Sequence, residues 1–181
     1  MKSERDLYIL KDEYFIFIKK CPIQYTLFWK ICFNAGLRIS ECLNLTVGDI
    51  LYSENKLLIK TLKRKGHPII PVIIPEYLVK ELQSYIQKNE ITNRIWAFSR
   101  QYAFKMFKQI CKKAGLNSKY SPHSFRHGHG VMIADITNGD IIQIQHRLRH
   151  ADIKSTQFYI HCSEVKQKEL SNKIENYLKG V

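Results

Sequence analysis

Residues 56–74 interrupt an otherwise helical pattern and place the strongest limit on the fold. Leu57, Leu58 and Ile59 form one apolar run, and a second follows a basic turn at 63–66; its members are Ile69, Ile70, Val72, Ile73 and Ile74. Two such runs around a polar turn predict an antiparallel hairpin. Prolines at 68, 71 and 75 cannot donate to a central ladder, so the second strand is expected at a sheet edge. We therefore expect a mainly α fold with a small antiparallel β-hairpin or three-stranded sheet.

Helical patterning covers the rest of the chain. Asp12 can cap a first helix and Pro22 can open a second. Gly36 can end that second helix after its apolar face, which is formed by Tyr25, Phe28, Cys32 and Phe33. A third helix is expected at about 39–45, and everything after Glu76 is expected to be helical.

Length and composition favour one domain inside the cell. The 181 residues, 45% of them hydrophobic, suit a single core, and no repeat or linker divides them, so we expect one domain over 1–181. There is no apolar signal core, and no run approaches the ~20 apolar residues of a membrane span, so a cytoplasmic protein is expected. The five cysteines are widely spaced and lack a C-x-x-C pair, which predicts reduced thiols.

The charge balance points to a polyanion as partner. Lys and Arg number 29 against 16 Asp and Glu, a formal net charge of +13, and nucleic acid is the first candidate. Between Glu90 and Asp135 there are eight basic residues and no acid. Lys105, Lys108 and Lys112 share one face of a helix that follows Ser99, and a solvated stripe is the common alternative for such a face. Because the surrounding segment is also basic, we predict that these three lysines contact the phosphate backbone of a nucleic acid.

Two motifs with basic residues lie in the first half of the chain. In Gly36-Leu37-Arg38-Ile39-Ser40-Glu41, Arg38 and Glu41 have the i, i+3 spacing of a surface ion pair. In the hairpin turn, Lys63, Arg64 and Lys65 either aim an ammonium at an oxyanion or keep an exposed turn soluble. Taken singly, each motif is explained better by the ordinary structural role.

Two further motifs lie in the second half. In Pro122-His123-Ser124-Phe125-Arg126-His127, His123 and Arg126 are one helical turn apart and can converge on a phosphate. Leu148-Arg149-His150 is followed nine residues later by Tyr159. Tyrosines at such positions are mostly half-buried packing residues.

Together and in this order, the motifs resemble the catalytic domain of the tyrosine recombinase (phage integrase) family. That family shows an Arg in a G-L-R-x-S-E box, a hairpin Lys, H-x-x-R, L-G-H and a Tyr, and the resemblance spans roughly residues 33–162. It implies a site-specific recombinase that cleaves and rejoins DNA through a 3′-phosphotyrosine, for integration, excision or inversion. A type IB topoisomerase and a cleavage-deficient DNA-binding regulator are the alternatives.

The resemblance also implies a role for each matched residue. Arg38 and Arg126 would clamp the non-bridging phosphate oxygens, and Tyr159 would attack the phosphorus. His123 would be the base and Lys63 the acid, with Lys65 as second choice. Two supporting residues complete the set: His150 would hydrogen-bond the scissile phosphate, and Glu41 would support the network. Because guanidiniums replace Mg²⁺, no cofactor or metal is implied; the pairs His123/His127 and His146/His150 have spacing that could bind zinc but lack the Glu of H-E-x-x-H.

The match departs from the family pattern in three places. The proline after the second strand is Pro71 or Pro75, which leaves Lys63 and Lys65 as rivals for the acid. Arg149 stands where L-G-H has glycine, at a cost of roughly 1 kcal/mol or more if φ is positive; we expect Arg149 and Lys65 to contact DNA as well. Only a few dozen residues precede Arg38, so either an N-terminal DNA-gripping domain has been removed or the chain is similar to short single-domain members.

The segment after Tyr159 is expected to form a helix at about 163–179. Its apolar residues are Val165, Leu170, Ile174, Tyr177 and Leu178, on a mostly polar helix. Such a helix commonly packs on its own domain. The resemblance implies instead a contact with a neighbouring subunit, in a homo-tetramer on DNA from a chain that is a monomer in solution.

Overall fold

The computed structural model describes residues 7–61, 66, 68–149, 156, 159, 171, 172, 174–176, 178 and 179. Within these residues the helices are α1 (Lys11–Lys20), α2 (Ile23–Asn34), α3 (Ile39–Leu43), α4 (Glu76–Lys88), α5 (Arg100–Lys113), α6 (Pro122–Ile136) and α7 (Ile141–Leu148). The strands are β1 (Ile50–Leu51), β2 (Lys56–Lys60) and β3 (Ile69–Ile73). The expected fold class, mainly helical with a three-stranded antiparallel sheet, is confirmed.

The sheet has the order β1-β2-β3, so β3 is an edge strand as the prolines predict. Pro71 lies opposite Leu58 in the β2–β3 register. Thr61 closes the far end of the hairpin, since its backbone N–H and its hydroxyl both donate to the carbonyl of Pro68, at 3.0 and 2.9 Å. The two residues of β1 are too few to show a periodic pattern in the sequence.

Two helix boundaries differ from the sequence prediction. The N-cap of α1 is Leu10, whose backbone N–H donates to Glu13 at 2.9 Å, and Asp12 lies inside the first turn. The prediction of Asp12 as the cap was therefore wrong, although an acid there still suits the helix dipole. Pro22 stands at the start of α2, as expected, in the N-cap position, while α3 ends at Leu43 and not at Leu45.

The core is built around α2, which is buried on most of its surface. Trp29 lies edge-on to Phe107 and Phe125 from two other helices, with ring centroids 5.3 and 5.6 Å apart, and Phe17 meets Phe125 at 4.7 Å. Such edge-to-face contacts add specific geometry to apolar burial. The packing fixes the C-terminal end of α2 against α6, and that end carries the first motif.

A second, smaller apolar cluster lies between α6 and α7. It consists of Val131, Ala134, Ile144, Leu148 and Tyr159. Cys21, Cys32, Cys42 and Cys111 are free thiols, and Cys162 lies outside the described residues. In the part of the chain that the structure describes, every helix is too short or too polar to cross a membrane.

Candidate active site

Arg38 is positioned by the junction between α2 and α3. Gly36 ends α2 with φ +56°, and a Cβ there would lie 2.5 Å from Cδ2 of His129, so glycine is required twice over. Arg38 is the N-cap of α3, and its Nη1 donates to Oε1 of Glu41 at 2.6 Å while its backbone N–H donates to Oε2 at 2.9 Å. Glu41 is only 3% exposed. This is not the surface ion pair that the spacing alone suggested.

Three guanidiniums surround the buried Glu41 carboxylate. Arg38 lies at 2.6 Å, Arg149 at 3.2 Å and Arg126 at 4.0 Å from its oxygens. Burial alone raises the pKa of Glu41, but the charge of Arg149, the backbone N–H of Arg38 and the other guanidinium charges outweigh it and lower the pKa. Glu41 is therefore ionised at neutral pH, and the cluster keeps an excess of two positive charges.

Arg126 ties this junction to the end of α7. It is 1% exposed, and it donates from Nη1 to the carbonyl of Gly36 at 2.6 Å and from Nη2 to the carbonyl of Leu148. Burial, followed by the charges of Arg38 and Arg149, lowers its pKa to about 9. The guanidinium still carries its charge at neutral pH.

Tyr159 lies against the helix that carries Arg126. Its ring is 2% exposed and packs beside Gly130, where an added Cβ would be 2.6 Å from Cε1 of the tyrosine. The hydroxyl is 2.9 Å from Nδ1 of His127. Tyr159 also lies close enough to Arg126, 33 positions away in the sequence, for the two groups to interact electrostatically.

His127 is a site residue that the motif comparison missed. It is half-buried, and burial together with the charge of Arg126 lowers its pKa to about 4, so its imidazole is neutral at pH 7. The sequence did carry a signal, since His127 follows Arg126 directly and stands four positions after His123, but that spacing was weighed only as a zinc pair.

His123 faces an open groove beside this buried centre. It is exposed, with its ring centroid 4.6 Å from that of His127. A cavity of about 330 Å³ is lined by His123 together with Arg38, Arg100 and Phe104. Arg38, with a side chain 19% exposed, is the arginine of the cluster that reaches this groove. Arg100 and Phe104 lie outside the four sequence motifs.

The remaining predicted residues fall into three groups. Lys63, Lys65 and His150 lie outside the described residues. Lys105 and Lys112 are exposed on α5, as a DNA-binding face requires. Lys108 is half-buried, and its ammonium donates to the carbonyls of Ser118 and Tyr120 at 2.7 and 2.5 Å and so braces a loop of its own chain. The contact of Lys108 with DNA stays a prediction.

Arg149 lies inside the buried cluster. Its φ is positive, at +53°, which is the condition under which arginine in place of glycine carries a cost. Its side chain is 3% exposed and its guanidinium donates to Glu41 and to carbonyls at the end of α2. Its contact with DNA stays a prediction. Among the described residues, no three His, Cys, Asp or Glu side chains form a group that could hold a metal ion.

Curated proteins similar to this chain in sequence include tyrosine recombinases. Tyrosine recombinase XerD of Staphylococcus saprophyticus is 27% identical over 154 residues, which cover 79% of this chain and 52% of that protein. Tyrosine recombinase XerA of Pyrococcus furiosus is 28% identical over 176 residues, covering 90% of this chain and 60% of the relative. The chain thus spans between half and two thirds of the length of these curated relatives.

Solved structures of tyrosine recombinases and integrases are similar to this chain in fold. A crystal structure of XerA recombinase has a TM-score of 0.79 at 24% identity, covering 96% of this chain and 65% of that one. The catalytic domain of bacteriophage HP1 integrase has a TM-score of 0.69 at 19% identity, covering 95% and 93%. The model of the phage integrase family matches residues 9–165. Because that match takes in most of the sequence and every described group of the site, the chain belongs to the phage integrase family and has the fold of a tyrosine recombinase catalytic domain.

Proposed function

We propose that this chain is the catalytic domain of a site-specific recombinase that cleaves and rejoins DNA strands through a covalent bond to Tyr159. One observation carries the proposal: the Tyr159 hydroxyl lies 2.9 Å from Nδ1 of His127 and interacts electrostatically with Arg126, which belongs to a cluster with surplus positive charge. Packing alone does not require a phenol to lie near guanidiniums. Attack on an anionic phosphorus does require it, because the nucleophile must lie near the cations that bind the phosphate.

The electrostatics of the cluster suit a DNA phosphate. A phosphodiester gathers negative charge on its oxygens in the transition state, and fixed donors aimed at that charge lower the barrier. Arg38 would meet the phosphate from the groove that it shares with His123. Arg126 and Tyr159 are buried in this conformation, so DNA binding must be accompanied by exposure of both groups.

The reaction conserves the energy of the broken bond. The Tyr159 oxygen bonds to phosphorus, the bond from phosphorus to the 5′-oxygen breaks, and a 3′-phosphotyrosine and a free 5′-hydroxyl result. The 5′-oxygen takes a proton from a lysine, with Lys63 as first choice and Lys65 as second, while His150 and Glu41 support the phosphate and its arginines. These roles rest on the family resemblance.

The phenol proton needs an acceptor in contact with it. The resemblance assigns this role to His123. His127 is a second candidate, because its Nδ1 lies 2.9 Å from the Tyr159 hydroxyl and its imidazole is neutral. If His127 takes the proton, His123, which lines the groove with Arg38, would donate to a phosphate oxygen.

Double-stranded DNA is the proposed partner. A recombinase of similar fold, XerH, has been solved bound to a palindromic difH substrate as a post-cleavage complex, with a TM-score of 0.79 at 20% identity. The net charge of +13 and the exposed lysines of α5 agree with a DNA partner.

Near the C-terminus, Ile174 and Leu178 are 51% and 77% exposed on helical residues, which supports docking on a neighbouring subunit and assembly of a homo-tetramer on DNA. Most of the predicted helix at 163–179 lies outside the described residues.

The decisive experiment incubates the chain with nicked, target-like DNA in EDTA and looks for a covalent adduct on a denaturing gel. Tyr159→Phe should abolish the adduct while leaving DNA binding intact. An adduct with relaxation of supercoils but no strand exchange would favour a topoisomerase. No adduct on any DNA would favour a cleavage-deficient regulator, and an adduct that needs added metal would contradict the mechanism.

A further inference from the structure

Arg149 occupies a backbone conformation that arginine rarely adopts. It ends α7 with φ +53° and ψ +41°, in the left-handed region, which costs an L-residue with a side chain about 1 kcal/mol or more relative to glycine. Its side chain is also buried, at a further cost in desolvation. Local strain of this kind persists where the surroundings hold it in place. The contacts of the Arg149 guanidinium identify the groups that hold this residue in place.

The guanidinium of Arg149 connects two structures that a phosphate site needs. Toward the end of α2 it donates to the carbonyls of Ala35 at 3.2 Å and Gly36 at 2.8 Å. Toward α3 its Nη2 donates to Oε2 of Glu41 at 3.2 Å. The same planar group therefore ties the last residues of α2 to the carboxylate that follows them in α3.

Both proposed phosphate-binding arginines meet these acceptors. Oε2 of Glu41 also receives the backbone N–H of Arg38 at 2.9 Å, and Oε1 receives Nη1 of Arg38 at 2.6 Å. The Gly36 carbonyl also receives Nη1 of Arg126 at 2.6 Å. A displacement of Arg149 would therefore affect both arginines. It would act on Arg38 through the Glu41 carboxylate and on Arg126 through the Gly36 carbonyl.

We propose that Arg149 is a positioning residue: it holds Glu41, and through Glu41 the guanidinium of Arg38, in the geometry that binds the scissile phosphate. This inference rests on the proposed function and deepens it, because it assigns to the residue in the glycine position of the L-G-H motif a role inside the site. Lysine does not replace it, since one ammonium cannot span carboxylate and carbonyl acceptors as a planar fork does.

A consequence for pH follows from the charges that face Glu41, which are Arg38, Arg126 and Arg149. Arg149 is the charge that most strongly opposes the effect of burial on the pKa of Glu41. Its removal raises that pKa, so Glu41 becomes protonated at a higher pH and releases Arg38 there. The acidic limb of the cleavage rate should move upward in pH by the same interval.

The test compares Arg149→Gly with Arg147→Gln in the full chain. Arg147 is a matched control, because it also donates to carbonyls, those of Ile73 and Asn34 at 2.6 and 2.8 Å, while its Nε donates to His129 and not to Glu41. Three quantities are measured for each variant: the DNA dissociation constant, the rate of adduct formation with bound nicked DNA across pH, and the Glu41 carboxyl titration by ¹³C NMR. Arg149→Lys is the second variant, should the glycine variant fail to fold.

For Arg149→Gly we expect nearly unchanged DNA affinity and a rate of adduct formation lower by about a hundredfold, as for a catalytic group displaced by about 1 Å. The pKa of Glu41 should be raised, and the acidic limb of the rate should move upward in pH by the same interval. Millimolar guanidinium ion should restore part of the rate, whereas methylammonium at equal ionic strength should not. Arg149→Lys should stay slow. Arg147→Gln should change stability without moving the Glu41 titration or the pH limb.

Two results would overturn the proposal. An unchanged Glu41 titration in Arg149→Gly would show that Arg149 does not hold the carboxylate. Weaker DNA binding with an unchanged rate in the bound complex would show a direct DNA contact instead. If the unaltered chain forms no adduct, the proposed function fails, and the NMR titration still decides whether Arg149 controls Glu41.

Discussion

The basic residues of this chain lie in two regions that differ in what holds them. Around Glu41, the guanidiniums of Arg126 and Arg149 are buried and donate to carbonyls or to the carboxylate. On α5, Lys105 and Lys112 are exposed to solvent. The buried groups are held by contacts within the chain, whereas the exposed ammoniums act through a field that salt screens. Changes in the first region should therefore alter stability and rate, and changes in the second should alter affinity.

The largest expected effect follows removal of the charge at the centre of the buried region. Glu41→Gln leaves three guanidiniums without their carboxylate, and breaking a buried ion pair in this way costs about 3–5 kcal/mol. Denaturant unfolding measures the loss. The matched control is Glu81→Gln, which removes a partly exposed pair with Lys30 at 2.8 Å and should cost about 1 kcal/mol or less. Equal losses in the two variants would remove the distinction between the regions.

A pH-dependent loss of stability should come next. The pKa of His127 is about 4 in the folded chain, against an ordinary value of 6.5, so the unfolded chain binds more protons between these values. Stability therefore falls as pH drops from about 6.5 to about 4, by at most about 3.5 kcal/mol from this group, since one pKa unit is worth about 1.4 kcal/mol. Burial also lowers the pKa of His129, which adds to the same trend.

The variant His127→Asn separates this histidine from the others. Asparagine keeps a hydrogen-bond acceptor but cannot take a proton, so the loss of stability below pH 6.5 should be smaller than in the unaltered chain. Adduct formation should be slow, and equally slow in a second variant, His127→Phe, which has no acceptor. His146→Asn, at an exposed position on α7, is the control for stability. Normal adduct formation by His127→Asn would restrict His127 to holding Tyr159 in place.

A smaller effect is expected where Tyr159 packs on α6. In Gly130→Ala the new methyl carbon would lie 2.6 Å from Cε1 of Tyr159, so the ring must move, at a cost of about 1–3 kcal/mol. Adduct formation should fall by about tenfold or more, with DNA affinity unchanged. Gly48→Ala is the control, because a Cβ there has its nearest neighbour at 3.9 Å. A Gly130→Ala variant with the normal rate would contradict the proposed seating of Tyr159.

The smallest effect on stability belongs to the exposed lysines. The double variant Lys105→Gln/Lys112→Gln should weaken DNA binding and reduce the slope of log affinity against log salt by about 0.9 for each phosphate that the chain no longer neutralises. The adduct rate in the bound complex should not change. Lys80→Gln/Lys88→Gln removes the same charge from α4, and an equal change in the salt slope would show that net charge, and not the face of α5, accounts for DNA binding.

The sequence predicted the hairpin and its edge strand because alternating apolar runs and prolines act locally. It also placed Arg38, Arg126 and Tyr159 in recognisable motifs, and in the structure Arg38 and Tyr159 both lie close enough to Arg126 to affect its pKa. It could not separate Lys108 from its neighbours on α5, because the carbonyls that Lys108 binds belong to a loop whose position depends on packing.

What the sequence determined by itself was the set of chemical groups, their order and the helices and strands that carry them, since propensity and periodicity are properties of short segments. The tertiary structure alone decided which cations face inward. Motif spacing predicted a DNA contact for Arg149 and offered His127 only as half of a zinc pair, whereas the packing of α7 and Tyr159 on α6 gives both residues partners inside the site. Burial and distance to a partner are properties of the packed chain, and they set the pKa values and contacts on which the chemistry depends.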